Sequence, residues 1–106
     1  MDAQARWDGL VDALCATTEG VRPGMMFGRP CLKRGGKMAA CLWTDGGIAV
    51  KLVEEADRAE ALAIEGAGLF DPGMGRQMRE WVLVPESAGA RWEHVLVRSL
   101  ATLPTA

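Results

Sequence analysis

Two glycine-bearing turns, Arg34-Gly35-Gly36 and Thr44-Asp45-Gly46-Gly47, divide residues 31–53 into three short apolar runs, and this limits the possible folds more than any other feature. Gly-Gly and Asp-Gly supply the positive φ angles that tight hairpin loops require. Cys31-Leu32-Lys33, Met38 to Trp43 and Ile48 to Val53 therefore read as three consecutive antiparallel strands. Upstream the period changes. Ala3, Trp7, Leu10, Val11, Leu14 and Thr18 recur at helical spacing over residues 3–18, with Asp2 placed to cap the start and Gly20 and Pro23 placed to end the helix.

Downstream, Glu54, Glu55 and Asp57 suit a helix N-terminus, and Ala56, Ala59, Leu62 and Ala63 predict a small apolar stripe up to Gly66. A glycine-rich loop, 66–75, leads into a strand over Trp81-Val82-Leu83-Val84 that Pro85 stops. Ser87 is placed to cap a third helix with Trp92, Val95, Leu96, Ser99, Leu100 and Leu103 on one face. The order α-β-β-β-α-β-α predicts an α+β fold, a small antiparallel sheet of about four strands with three helices. Residues 1–106 are short enough to form a single domain. Trp7, Leu10, Leu14, Leu42, Val50, Trp81, Leu83, Trp92, Leu96 and Leu100 are expected to share one core. The run from Met38 to Trp43 is apolar on both faces, so the third helix is expected to cross to the second face, or a second copy to cover it as a homodimer.

Composition narrows the function classes. The three cysteines lack CxxC spacing and only one histidine accompanies them, which favours reduced thiols over a disulfide framework or a zinc site. No secretory leader pattern and no run near the ~18 apolar residues of a membrane span is present, so a cytoplasmic protein without membrane contact is expected. The net charge of −2 speaks against general adhesion to nucleic acid. Its distribution is uneven. Residues 20–44 carry Arg22, Arg29, Lys33, Arg34 and Lys37 and no acid, whereas 45–71 are dominated by Asp45, Glu54, Glu55, Asp57, Glu60, Glu65 and Asp71.

The glycine pairs Gly66-Ala67-Gly68 and Gly73-Met74-Gly75 do not complete a dinucleotide fingerprint, and a loop running from helix to strand has the wrong order for cradling phosphate. His94 lies on the flank of the third predicted helix beside Glu93, where a solvated histidine is expected rather than a general base. Cys31 has Arg29, Lys33 and Arg34 as sequence neighbours, a setting that can stabilise a thiolate, against which stands a small half-buried strand residue. The tryptophans, Trp7, Trp43, Trp81 and Trp92, are spread over four predicted elements and suit a shared core better than a stacking platform. No catalytic residue, cofactor or metal is expected. The candidate binding residues are Arg76 and Arg79, with Met74 in the glycine loop before them, and Arg34 and Lys37 of the basic segment.

The combination of Met26-Phe27-Gly28, Gly36-Lys37-Met38, Val50-Lys51-Leu52, Gly66 with Phe70, and Met78 with Trp81 resembles the N-terminal domain family of TfoX/Sxy competence regulators. The resemblance spans nearly the whole chain, with Arg29-Pro30 departing where a second glycine often follows the Met-Phe-Gly motif. It implies a small antiparallel sheet with helices, in the class that includes secretion-chaperone-like domains. It also implies a non-enzymatic regulatory or protein-interaction role with a protein partner. The further helical domain of full-length competence regulators has no counterpart in these residues, so a link to DNA uptake is not carried over. The alternative expectation is a nucleic-acid-binding accessory protein that uses the basic segment 22–37 with Arg76 and Arg79.

Overall fold

Helix α1 (Ala3–Thr17) starts as its sequence dictates, with the Asp2 carboxylate accepting the Ala5 amide hydrogen at 2.7 Å. Its apolar stripe buries Trp7, Val11 and Leu14. The computed structural model describes residues 2–73, 75 and 77–105. After Gly20, which holds φ +79°, the chain enters six strands: β1 (Val21–Met26), β2 (Arg29–Arg34), β3 (Lys37–Leu42), β4 (Ile48–Lys51), β5 (Gly68–Phe70) and β6 (Met78–Val84). Helix α2 (Glu55–Leu62) lies between β4 and β5, and a 3-10 segment (Glu86–Arg91) leads from β6 into α3 (Trp92–Ala101). The strands form one antiparallel sheet in the order β1-β2-β3-β4-β6-β5.

The predicted glycine turns close as read. Gly35 and Gly36 both take positive φ between the paired ends Arg34 and Lys37, and Gly46 takes φ +88° while Asp45 accepts the Gly47 amide hydrogen at 2.8 Å. Two strands lie beyond the four expected. Strand β1 contains Pro23 and Gly24, which argue against a strand on sequence alone, but β1 is an edge, where a missing amide donor is tolerated. At the other edge, β5 is three residues long inside the glycine-rich segment.

The third helix does not cross the sheet. Residues of α1, α2 and α3 pack in one cluster with Val21, Leu32, Leu42, Ile48, Val50, Val82 and Val84, so all three helices share one face. The expected single core is correspondingly two clusters. Cys31, Cys41, Ala49, Phe70 and Trp81 are buried on the opposite face, with Trp43, Met78 and Leu83 packed against them. The tryptophans divide likewise, with Trp7 and Trp92 under the helices and Trp43 and Trp81 on the other side.

A bulge in β3 explains why both Ala39 and Ala40 point toward the helices. Leu32 pairs with Ala40 and Lys33 with Met38, which leaves Ala39 as the extra residue. Its carbonyl accepts a hydrogen bond from the buried Ser99 hydroxyl at 3.2 Å. Ser87 does not cap α3, because the 3-10 segment intervenes and Arg91 stands at the helix N-cap. The apolar stripe expected on α2 is also displaced. Ala56, Ala59 and Ala63 are exposed, and the helix instead turns Asp57 and Ala61 inward. The cause lies on α3, where Arg98 donates from Nε and Nη2 to Asp57 Oδ1 at 2.9 and 2.8 Å. Among the described residues no helix is long and apolar enough to cross a membrane.

Candidate functional site

The helix-free face is built from the registers of the sheet. One row crosses all six strands as Gly24, Cys31, Cys41, Ala49, Leu83 and Gly68, so small side chains floor much of the face. A Cβ at Gly24 would come within 3.1 Å of both Cys31 Sγ and Lys33 Cε, which shows how closely the Lys33 stem lies over β1. Aromatic rings fill the space above this floor. Phe27 meets Trp43 edge-on at 6.3 Å between centroids, Trp43 meets Phe70 edge-on at 4.8 Å, and Phe70 lies 6.3 Å from Trp81. Such pairs contribute about 0.5–1.5 kcal/mol each beyond the area they bury.

Phe27 is the unusual member of this chain of rings. Met26 pairs with Arg29, so Phe27 and Gly28 form a two-residue loop, and both take positive φ, +54° and +72°. Among the described residues Phe27 is the only non-glycine in that region. Asn or Asp beside Gly suits this loop, and a bulky residue there is strained. Phe27 is nevertheless 65% exposed, so burial does not offset the strain.

Phe27 stands at a hairpin tip and Lys51 at the last residue of β4, yet both line one groove of about 840 Å³, so the tip curls over the face. That volume lies within the range of small-molecule sites, roughly 300–1,000 Å³. Phe27, Met78 and Trp81 supply apolar walls, and Lys51, Arg58 and Arg79 supply charge. Among the described residues Glu80 is the single carboxylate-bearing residue that borders it. Arg58 is pinned in place, since its Nη1 donates to the carbonyls of Leu52 and Val53, both at 2.8 Å. Among the described residues neither Lys51 nor Arg79 is ion-paired.

Of the five expected binding residues, the three that are described do not converge. Arg79 lines the groove. Arg34 is a structural tie, donating from Nε to the Glu19 carbonyl and from Nη1 to the Leu100 carbonyl, each at 2.9 Å, and so joining β2 to the ends of α1 and α3. Lys37 is exposed beside the Gly35-Gly36 turn and does not line the groove. Met74 and Arg76 lie outside the described residues. Lys51, Arg58 and Phe27 were absent from the expected set. Lys51 and Phe27 stand in the motifs that carry the family resemblance, whereas nothing in the sequence marks Arg58.

The nucleophile candidates lie apart from this surface chemistry. Cys31 is buried opposite Cys41, and burial pushes its thiol above the usual value, an effect that Lys33 only partly offsets. Cys41 is pushed up to about 11, first by burial and then by Cys31 beside it. Both are poor thiolates at neutral pH, so the cations near Cys31 in sequence do not activate it. His94 is about half exposed on the helix side and pairs through Nε2 with Glu60 on α2. Among the described residues no three His, Cys, Asp or Glu side chains gather as metal ligands.

Charge follows the layers. The strands carry Arg22, Arg29, Lys33, Arg34, Lys37, Lys51 and Arg79 against Glu80 alone. The helices and the 3-10 segment carry Asp8, Asp12, Glu55, Asp57, Glu60, Glu86 and Glu93 against Arg6, Arg58, Arg91 and Arg98. The acidic and basic blocks of the sequence have thus become an acidic helical layer and a basic sheet. No protein-family model, curated protein or solved structure matches the chain.

Proposed function

We propose that this chain is a non-enzymatic interaction module whose working surface is the helix-free face of the sheet, with the Phe27 tip as its anchor. The observation that carries the reading is Phe27 itself, a strained and exposed aromatic where a hairpin needs only a small turn residue. Its edge contact with Trp43 leaves most of the ring in solvent, and an exposed aromatic held in a strained turn suits an anchor at an interface. The resemblance to TfoX N-terminal domains points the same way. Three of its motifs supply groove residues: Phe27 from Met26-Phe27-Gly28, Lys51 from Val50-Lys51-Leu52, and Met78 with Trp81. A regulatory role follows from that resemblance, with an acidic protein partner suited to Lys51 and Arg79.

Site-directed photocrosslinking tests the reading. A benzophenone side chain placed at Phe27 is expected to give a discrete adduct in extracts of the source cell, whereas the same group at Val97, exposed on α3, gives none. Equal labelling at both positions, or none at Phe27, would falsify it. Light scattering of the purified chain separates the homodimer from other partners. A mass near 11.4 kDa removes self-association as the use of this face.

The basic sheet favours a second reading, a nucleic-acid-binding accessory protein. Arg22, Lys33, Lys51 and Arg79 have no ion pair among the described residues, and each phosphate contact contributes roughly one unit of log–log salt slope. Binding of an oligonucleotide that does not weaken with salt removes this reading.

A further inference from the structure

The geometry points to the groove beside Trp81 as a site for one small ligand class, a planar apolar ring bearing a carboxylate, phosphate or sulfonate group. This proposal rests on the helix-free face being the binding surface, and it names what one part of that face receives. Three features of the groove select the class. Its walls are Phe27, Met78 and Trp81, two aromatic rings and a thioether that accept a flat apolar body. Its cations are Lys51, Arg58 and Arg79, which outnumber the one bordering carboxylate of Glu80. Its volume, about 840 Å³, holds a small molecule rather than a protein element.

Arg58 gives the site its preorganisation. Two main-chain carbonyls hold its Nη1, so the guanidinium plane is fixed before any ligand arrives, while Nε and Nη2 have no partner among the described residues. A planar donor already oriented loses little side-chain entropy on binding an anion. Lys51 pairs across the strands with Trp81 and both line the groove, and Arg79 lies two residues from Trp81 on the same strand. A ligand whose ring packs against the exposed Phe27, with Met78 and the groove-facing part of Trp81 beside it, and whose anionic group reaches Lys51, Arg58 and Arg79 satisfies both halves of the groove. A flat stacking platform for a polynucleotide is a poorer fit, because Phe70 is fully buried and Trp81 nearly so, and only Phe27 stands well exposed.

The test uses the whole chain and three probes: anilinonaphthalenesulfonate, an aromatic anion; phenylnaphthylamine, a similar ring without the charge; and inorganic phosphate, the charge without a ring. The aromatic anion is expected to bind saturably at one site and change tryptophan emission. The neutral ring and the phosphate are each expected to bind at least about tenfold more weakly, the scale of one charge-assisted hydrogen bond. Lys51→Gln and Arg79→Gln are each expected to weaken the aromatic anion by about tenfold, with unfolding midpoints unchanged because neither side chain is ion-paired among the described residues. Equal affinity for charged and neutral rings, or indifference to both substitutions, overturns the proposal. Amide shift mapping of the same titration separates the two readings. Perturbations around Phe27, Trp43 and Trp81 without charge dependence leave the helix-free face standing and remove the anion site, whereas perturbations on the helical side remove both. An oligothymidylate that displaces the probe with affinity rising with its length also overturns the small-ligand proposal, giving the groove to a polynucleotide.

Discussion

The two faces of the sheet are both apolar, yet they hide that character by different means. Under the helices, Trp7 of α1, Ala61 of α2 and Trp92, Leu96 and Leu100 of α3 are almost wholly buried, as in an ordinary close-packed core. On the other side, strands and loops cover themselves. Phe27, Trp43, Phe70 and Trp81 lean across a floor of Gly24, Cys31, Cys41 and Ala49, and the covering layer ends in exposed Phe27 and the cationic groove. One face is closed by other secondary structure, and the other is closed only by side chains. The contrast teaches that burial alone does not identify a folding core. A cluster can be largely hidden and still end in an exposed aromatic ring and cationic side chains.

The largest expected effect tests the closed face. Trp92 is fully buried and its indole N–H donates to the Pro85 carbonyl at 3.2 Å, so Trp92→Ala should cost about 3–5 kcal/mol by urea unfolding. A loss below about 0.5 kcal/mol, typical of surface positions, would place α3 away from the sheet and erase the contrast.

Next comes the floor of the open face, through its response to pH. The Cys41 thiol titrates near 9.0 ordinarily and at about 11 in the fold, so folding favours its neutral form. Its contribution to stability is complete below pH 9 and is lost as pH rises toward 11, on the order of 2–3 kcal/mol in total. The chain has no tyrosine to obscure this range. Denaturation at about pH 7.5 and about pH 10.5 should show a smaller drop for Cys41→Ala than for the parent, and equal drops would mean that the floor is wet.

Arg34 separates tie from binding site. Arg34→Met should cost about 1–3 kcal/mol by removing two charged hydrogen bonds to carbonyls, while leaving affinity for the aromatic anion unchanged. The reverse outcome, intact stability with lost affinity, would return Arg34 to the binding surface. The smallest effect is a gain. Phe27→Asn suits the positive φ of the turn and should raise stability by about 0.5–1 kcal/mol while weakening binding at the helix-free face. Loss of stability instead would make Phe27 a packing residue and assign the open face to folding.

How far the sequence could be read depended on whether a signal was local. The Gly35-Gly36 and Asp45-Gly46 turns, the Asp2 cap and the α1 stripe are decided within a few residues, and each was legible. Strand β1 was not, because Pro23 and Gly24 mimic a loop unless the segment is known to be an edge. The inward face of α2 was hidden for a different reason. Asp57 is buried because Arg98, far away in sequence, meets it, and no periodicity within α2 carries that information. The site was legible only in fragments. Arg79 could be chosen from its loop, but the pinning of Arg58 by two carbonyls and the convergence of Phe27 with Lys51 arise from how the hairpin curls.

The edges of the sheet have a consequence for how copies of this chain can assemble. An open edge strand is a template that recruits further strands through its unpaired main-chain groups. Here β1 lacks an amide donor at Pro23 and carries Arg22 beside it, and β5 offers only three residues for pairing. Strand addition is blunted at both ends, so the sheet resists growing into a continuous ribbon. That disfavours edge-to-edge association, and two copies meeting face to face across the aromatic hollow would compete with the ligand proposed for the groove.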